Sequence, residues 1–187
     1  MPQYVGHRIL VHAWWMAGSV TWLAVFTVAT NSTELSWATQ SAFGVAATAL
    51  GALGAIDVAV HRLPRQISYV AFALISILLL AGSPSRSQKT TDLFVGTLLM
   101  FGVIGSLRIV SRGSMGKGDL HLAPLLGALI GWFDPNQVLI ACVVMAMSAA
   151  LVSGALVVSG RREKSDFIAY GPFMLLGAAV AIVGAGG

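Results

Sequence analysis

The chain has 187 residues, 57% of them hydrophobic and only 10% charged, with a mean hydropathy of +0.84. A water-soluble domain of this length cannot hide so much apolar surface, so the solvent is lipid and the fold class is an all-α, polytopic integral membrane protein. The net charge of +4 comes from Lys and Arg residues scattered between apolar runs, with no basic stripe for a nucleic acid, and the lone cysteine, Cys142, excludes a disulfide framework or a paired-cysteine zinc module.

A helix crossing a bilayer core of about 30 Å needs roughly 20 apolar residues, so residues 1–187 have room for about seven transmembrane helices in one membrane-embedded domain. The first segment, Ile9 to Thr30, follows Arg8, exceeds a signal-peptide core of about 7 to 15 residues and lacks an A-x-A cleavage site, which makes it a retained span. Asn31-Ser32-Thr33 would accept a glycan only in a eukaryotic secretory setting, to which nothing else points. The second segment, Ala38 to Val60, carries a small-residue stretch from Ala46 to Gly54 suited to close helix packing. Ile67 to Gly82 and Leu93 to Val110 follow. The fifth, Leu120 to Phe133, has only 14 residues and is either a short span or re-entrant, which would leave six crossings. Val138 to Val158 holds Cys142, read as a small buried hydrophobe, and Phe167 to Val183 closes the series.

Loops on the cytoplasmic side collect Lys and Arg. With seven crossings and the N-terminus inside, that side receives Arg8, Arg62, Arg65, Arg108, Arg112, Lys117, Arg161, Arg162 and Lys164, against Arg86 and Lys89 outside. A re-entrant fifth segment would move the cluster at 161–164 outside and erase the bias, so seven crossings is the better reading. Trp14, Trp15, Trp22, Trp37 and Trp132 lie mostly near span ends, where interface anchoring is the default role.

Most of the seven acids fall in loops, but Asp57 lies inside the second span, about one turn from its end, and Asp119 opens the fifth. By the charge bias both lie at the cytoplasmic face. An ionisable group embedded in apolar sequence is a functional candidate by default. The bland readings are that Asp57 pairs with Arg62 and that Asp119 is the N-cap of its helix. Two carboxylates brought together share a proton, one member serving as base and the other as acid, which suffices for peptide hydrolysis without metal or covalent intermediate. Asp166 is a rival partner for Asp57, in a charged run more simply read as a solvated loop. Gly116 and Gly118, before Asp119, fit as supports of a substrate loop, because glycine admits a close backbone and a positive φ. A phosphate-binding loop is rejected: Gly116-Lys117 is followed by Gly118 where Ser or Thr is required. His7, His12 and His61 have no second ligand at helical spacing, so neither a metal nor another cofactor is expected.

Gly116-Lys117-Gly118-Asp119, continued by Leu120-His121-Leu122, resembles the G-x-G-D segment of type IV prepilin peptidases. Asp57 with Arg62-Leu63-Pro64 resembles that family's first aspartate and its following Ile-Pro, and Tyr170-Gly171-Pro172-Phe173 resembles its late Phe-Gly-Pro-Phe segment. The three stretches stand in the family's order over about residues 40–180. The resemblance implies an aspartic endopeptidase of the bacterial cytoplasmic membrane, with Asp57 and Asp119 as the catalytic pair, cleaving the basic leader from a prepilin or pseudopilin ahead of its hydrophobic helix. It also implies one of the shorter members without the cysteine-containing N-methylation domain. His121 stands where the family often has Lys, and Arg65 where it often has Asn. Two readings of other classes remain beside it. One is a small proton-coupled transporter or channel using Asp57 as an ion site; the other is a non-catalytic assembly factor of a pilus or secretion system. Membrane lipid is the surrounding partner in every case, and oligomeric state is not legible.

Overall fold

The computed structural model describes residues 2–30, 35–60, 65–83, 85–111, 116–159 and 170–186, and the side chains among them except those of 2–14, 58–60, 86 and 156. Among these residues all regular structure is helical: α1 (Pro2–Ala29), α2 (Trp37–Val60), α3 (Arg65–Gly82), α4 (Arg86–Val110), α5 (Lys117–Phe133), α6 (Gln137–Val158) and α7 (Gly171–Gly186). The seven apolar segments each become one helix. By length and composition α2, α3, α4 and α6 each hold a stretch able to cross a membrane, while Trp15–Ala29 and Gly171–Gly186 are shorter apolar helices.

The expected boundaries shift where helicity and hydropathy part company. The fourth helix begins at Arg86 instead of Leu93, because the turns that carry Lys89 and Asp92 are too polar for hydrocarbon yet remain good helix formers. The seventh begins at Gly171, and its expected start at Phe167 lies outside the described residues: Pro172 sits in its first turn, where the missing N–H costs no hydrogen bond, and the Met174 amide donates to the Tyr170 carbonyl at 3.0 Å. The fifth begins at Lys117, so Gly118 and Asp119 belong to the helix and not to the loop before it. Its far end closes on Asp134, whose Oδ1 accepts from both the backbone and the side-chain nitrogen of Asn136 at 2.9 Å.

α5 is the axis of the bundle, packed against α3, α4, α6 and α7. Ten of its 17 residues are buried, from Asp119 to Gly131. At 1.5 Å per residue it spans about 25 Å, short of a bilayer core of about 30 Å. Protein, not lipid, surrounds it, and a helix sheathed by other helices does not have to match the bilayer. Outside it, α1 and α2 run antiparallel, and α2 packs on α3 and α7. Large apolar side chains such as Val70, Ile77, Phe94, Leu98 and Leu151 point outward, as a surface solvated by lipid requires.

Lipid offers no hydrophobic drive for helix association, so close packing must supply it. On α5, Gly127 and Gly131 form a G-x-x-x-G pair facing Gly96 of α4. A methyl group at Gly127 would lie 2.8 Å from Met100 Cβ and 2.9 Å from Thr97 Cα, and one at Gly96 would lie 2.6 Å from Gly131 Cα. Next to Gly131, Lys89 Nζ donates to the Trp132 carbonyl at 2.6 Å and sits 5.0 Å above that ring, while Trp132 Nε1 donates to Ser83 Oγ at 3.1 Å. A cation on a helix's last carbonyls is favourable against the macrodipole. Trp22 departs from the anchoring role expected of it: it is buried and packs on Phe26, which stacks on Phe43 in the core.

Gly127→Ala is expected to lower stability by about 1 to 3 kcal/mol, because main-chain atoms of α4 must move aside. Gly102→Ala, where an added methyl meets nothing within 4 Å, is expected to be neutral or slightly stabilising. Thermal unfolding of the two purified variants in detergent checks both.

Candidate active site

The buried polar side chains among the described residues are Thr39, Asp57, Ser68 and Asp119. Asp57 and Asp119 are each 5% exposed, and they are the two acids singled out in the sequence. Both sit at the same end of the bundle. The charge of Asp57 bears directly on Asp119, so the pair is within electrostatic reach although no backbone of α2 approaches α5 closely. Their backbones are held apart: the helices touch through Phe43 against Trp132 and Phe133 at the end away from the acids, and are otherwise joined through α3 and α7, which pack on both.

Each carboxylate is received by the start of a helix. Asp119 is the third residue of α5, and Gly116 is the N-cap. The Gly116 amide donates to the Asp119 carboxylate, which is the backward half of a capping box. The expectation that Asp119 itself caps the helix is therefore corrected: it occupies N3 and reaches back to the cap. Gly116 has φ −57° and ψ 142°, so it does not adopt the positive φ expected of it. What it needs is room, since a methyl group there would lie 3.0 Å from Asp119 Oδ2. Gly118, half-buried in the first helical turn, is likewise part of the helix.

Asp57 meets the first residue of α7. A methyl group at Gly171 would collide with Asp57 Oδ2 and lie 3.0 Å from its Cγ. The carboxylate therefore rests where the positive end of the α7 dipole emerges, a position that favours anions. The Tyr170-Gly171-Pro172-Phe173 stretch stood out in the sequence without a role; its glycine is what lets α7 approach Asp57.

Cations and a hydrogen-bonded ring pair border the site. Arg108, in the last turn of α4, acts on Asp119 and on His121. Tyr69 Oη and His121 Nδ1 share a hydrogen bond of 2.6 Å, their rings set edge to face at 5.3 Å. Arg65, one turn before Tyr69 on α3, also acts on His121. The two departures from the prepilin-peptidase pattern are therefore neighbours. Sequence reasoning missed Arg108 and Tyr69, which lie in ordinary span ends with no local signature. Ser68 beside Tyr69 is fully buried, and its hydroxyl has no hydrogen-bond partner among the described residues.

Arg62-Leu63-Pro64, the proposed Asp57–Arg62 pairing, the rival Asp166 and the loop at 113–115 lie outside the described residues. Among the described residues no group of three or more His, Cys, Asp or Glu side chains is placed to hold a metal ion.

Comparison with known proteins points the same way as these residues. A family model described as the type IV leader peptidase family matches residues 44–154, which include both aspartates. Two proteins named prepilin leader peptidase/N-methyltransferase, from Burkholderia pseudomallei strains 1026b and K96243, are each 29% identical to this chain over 150 residues. The match covers 79% of this chain and 47% of each relative, so the chain spans about half the length of the curated relatives it matches. No solved structure matches.

The Asp57–Gly171 contact yields a stability test. Gly171→Ala is expected to lower the unfolding temperature in detergent, and the same substitution in an Asp57→Ala background is expected to cost less, because the carboxylate it strikes is gone. A coupling of about 0.5 to 3 kcal/mol in the double-mutant cycle would record the contact.

Proposed function

The chain belongs to the type IV leader peptidase family, and we propose that it is a membrane aspartic endopeptidase whose Asp57 and Asp119 hydrolyse the leader of a prepilin or pseudopilin-like substrate. The observation that carries this reading is the pair itself: two buried carboxylates from distant parts of the chain, within reach of each other, each set against the start of a helix. The relatives are named for acting on prepilins, and the proposed substrate accordingly has a short basic leader followed by a hydrophobic helix. The charge bias of the loops supports a bacterial cytoplasmic membrane setting, with the N-terminus and the dyad at the cytoplasmic face.

In the proposed mechanism the dyad holds one proton. The ionised carboxylate takes a proton from a water molecule as the water oxygen bonds to the scissile carbonyl carbon. The protonated carboxyl hydrogen-bonds the carbonyl oxygen and passes its proton to it, giving a tetrahedral diol. Collapse of the diol returns one hydroxyl proton to a carboxylate, while the carboxyl formed in the first step protonates the amide nitrogen and the C–N bond breaks. The Gly116 amide holds the Asp119 carboxylate in place through this cycle, and Arg108 balances charge beside it. The transporter reading through Asp57 gains no comparable support, since Asp57 and Asp119 are the only buried ionisable side chains among the described residues apart from the thiol-bearing Cys142, which is half-buried.

Asp57→Asn and Asp119→Asn are each expected to reduce leader cleavage by about a hundredfold to ten-thousandfold while leaving membrane levels unchanged. The measurement is a gel mobility shift of a co-expressed prepilin, with rates taken on the purified enzyme. Cleavage retained in either variant would remove that residue from the mechanism, and function retained in both would favour the assembly-factor reading. The rate of the wild type against pH is expected to be bell-shaped, falling when the dyad gains its second proton and again when it loses its last.

A further inference from the structure

A hydroxyl on a helix in lipid ordinarily returns to its own backbone. Ser19, Thr21, Thr27, Thr48 and Thr97 each donate to the carbonyl four residues back, at 2.7 to 2.9 Å. Ser68 of α3 does not: it is fully buried, and its Oγ has no hydrogen-bond partner among the described residues. A buried hydroxyl without a partner costs stability, so packing does not explain it.

Ties at both ends of α3 fix where this hydroxyl lies. Tyr69 Oη shares a hydrogen bond with His121 Nδ1 of α5 at 2.6 Å, and Ser83 Oγ, just past the other end, accepts from Trp132 Nε1 of α5 at 3.1 Å. The two helices therefore run side by side in the same direction. Ser68 lies about 22 Å along from Ser83, and Asp119 about 20 Å along from Trp132, which puts the hydroxyl and that carboxylate at one level. α2 runs the other way, since the Ser36 hydroxyl donates to the Gly82 carbonyl at 3.1 Å. Asp57 lies about 27 Å from Thr39, which meets Gly82, and Ser68 about 21 Å from Gly82, so Ser68 is about one turn deeper than Asp57. Cα–Cβ bonds tilt toward the N-terminus of their helix, so Asp57 leans inward and Ser68 outward, each toward the level of the other. Ser68 is the polar member of the buried stripe Ser68, Ala71, Ile75 and Leu79, on a helix that packs on both α2 and α5.

Building on the leader peptidase reading, we propose that Ser68 orients the attacking water between the two carboxylates. A hydroxyl offers one donor and two acceptor lone pairs. Its oxygen accepts from one O–H of the water while the ionised carboxylate accepts from the other, which leaves a lone pair of the water aimed at the scissile carbonyl carbon. The Ser68 O–H donates to a carboxylate oxygen of the dyad. As the water oxygen bonds to carbon, the carboxylate takes the proton it already holds in a hydrogen bond, and no bond of Ser68 is made or broken. Ser76 supplies an internal control: its hydroxyl also has no partner among the described residues, but it stands about 12 Å further along α3, away from the acids.

The test follows cleavage of a purified prepilin by the whole chain in detergent, with kcat and KM measured separately and thermal unfolding recorded on the same preparations. Ser68→Ala is expected to lower kcat by about tenfold to a hundredfold with KM within about twofold, since orientation of the water acts on the chemical step and not on substrate binding. Its unfolding temperature is expected to equal or exceed that of the wild type, because the substitution breaks no hydrogen bond. Ser76→Ala is expected to keep kcat within about twofold. An unchanged kcat in Ser68→Ala would overturn the inference. So would a loss accompanied by a lower unfolding temperature, by a raised KM, or by an equal loss in Ser76→Ala, each of which assigns the hydroxyl to packing. In all of these outcomes the wild type cleaves and the peptidase reading stands; a wild type that cleaves no prepilin would overturn that reading and this inference with it.

Discussion

A carboxylate taken into an apolar bundle costs several kcal/mol unless polar groups receive it, and most of this architecture can be understood as the reception of two. α5 begins so that its N-cap amide meets Asp119. α7 begins with a glycine so that its first turn can reach Asp57. Helix starts suit the task because their first amides have no partners within the helix. Arg108, a cation that acts on Asp119, comes from the end of a neighbouring helix.

The same constraint explains why α5 is central and why α2 is kept off it. Sheathed by four helices, α5 presents Asp119 on a rigid support, and the glycine seam with α4 fixes that support by main-chain contact. If α2 packed equally close to α5, the space between the acids would be filled by helix. Both rest instead on α3 and α7, with the carboxylates within electrostatic reach of each other.

Lipid-scale hydrophobicity made the seven helices and their order legible, because in a membrane apolar length and helix are nearly the same statement. It failed at Arg86–Asp92, where a polar helix continues beyond hydrocarbon, and at Trp22, where an aromatic residue near a span end turned inward. The two aspartates were legible because a charge inside an apolar run is expensive and needs a reason. Their meeting was not, since it depends on how α3 and α7 bridge helices whose backbones stay apart. Arg108 and Tyr69 were illegible for a related reason: cations and tyrosines are common at span ends, and only packing selects those that face the site. Of the two properties expected of Gly116, positive φ and lack of bulk, its φ of −57° leaves only the second, and the two look identical in a sequence.

The contact between Asp57 and Gly171 joins residues 114 positions apart, and it has a consequence for biosynthesis. At about 5 to 20 residues per second, α2 emerges from the ribosome several seconds before the helix start that receives its acid. During that interval the nascent chain holds an embedded carboxylate with its reception incomplete. Docking of α7 sets Gly171 against Asp57, so that contact is made only when the seventh helix has been delivered to the membrane. A chain arrested before Gly171 would have both aspartates and neither the helix start that lies against Asp57 nor the bridge that α7 makes between α2 and α5.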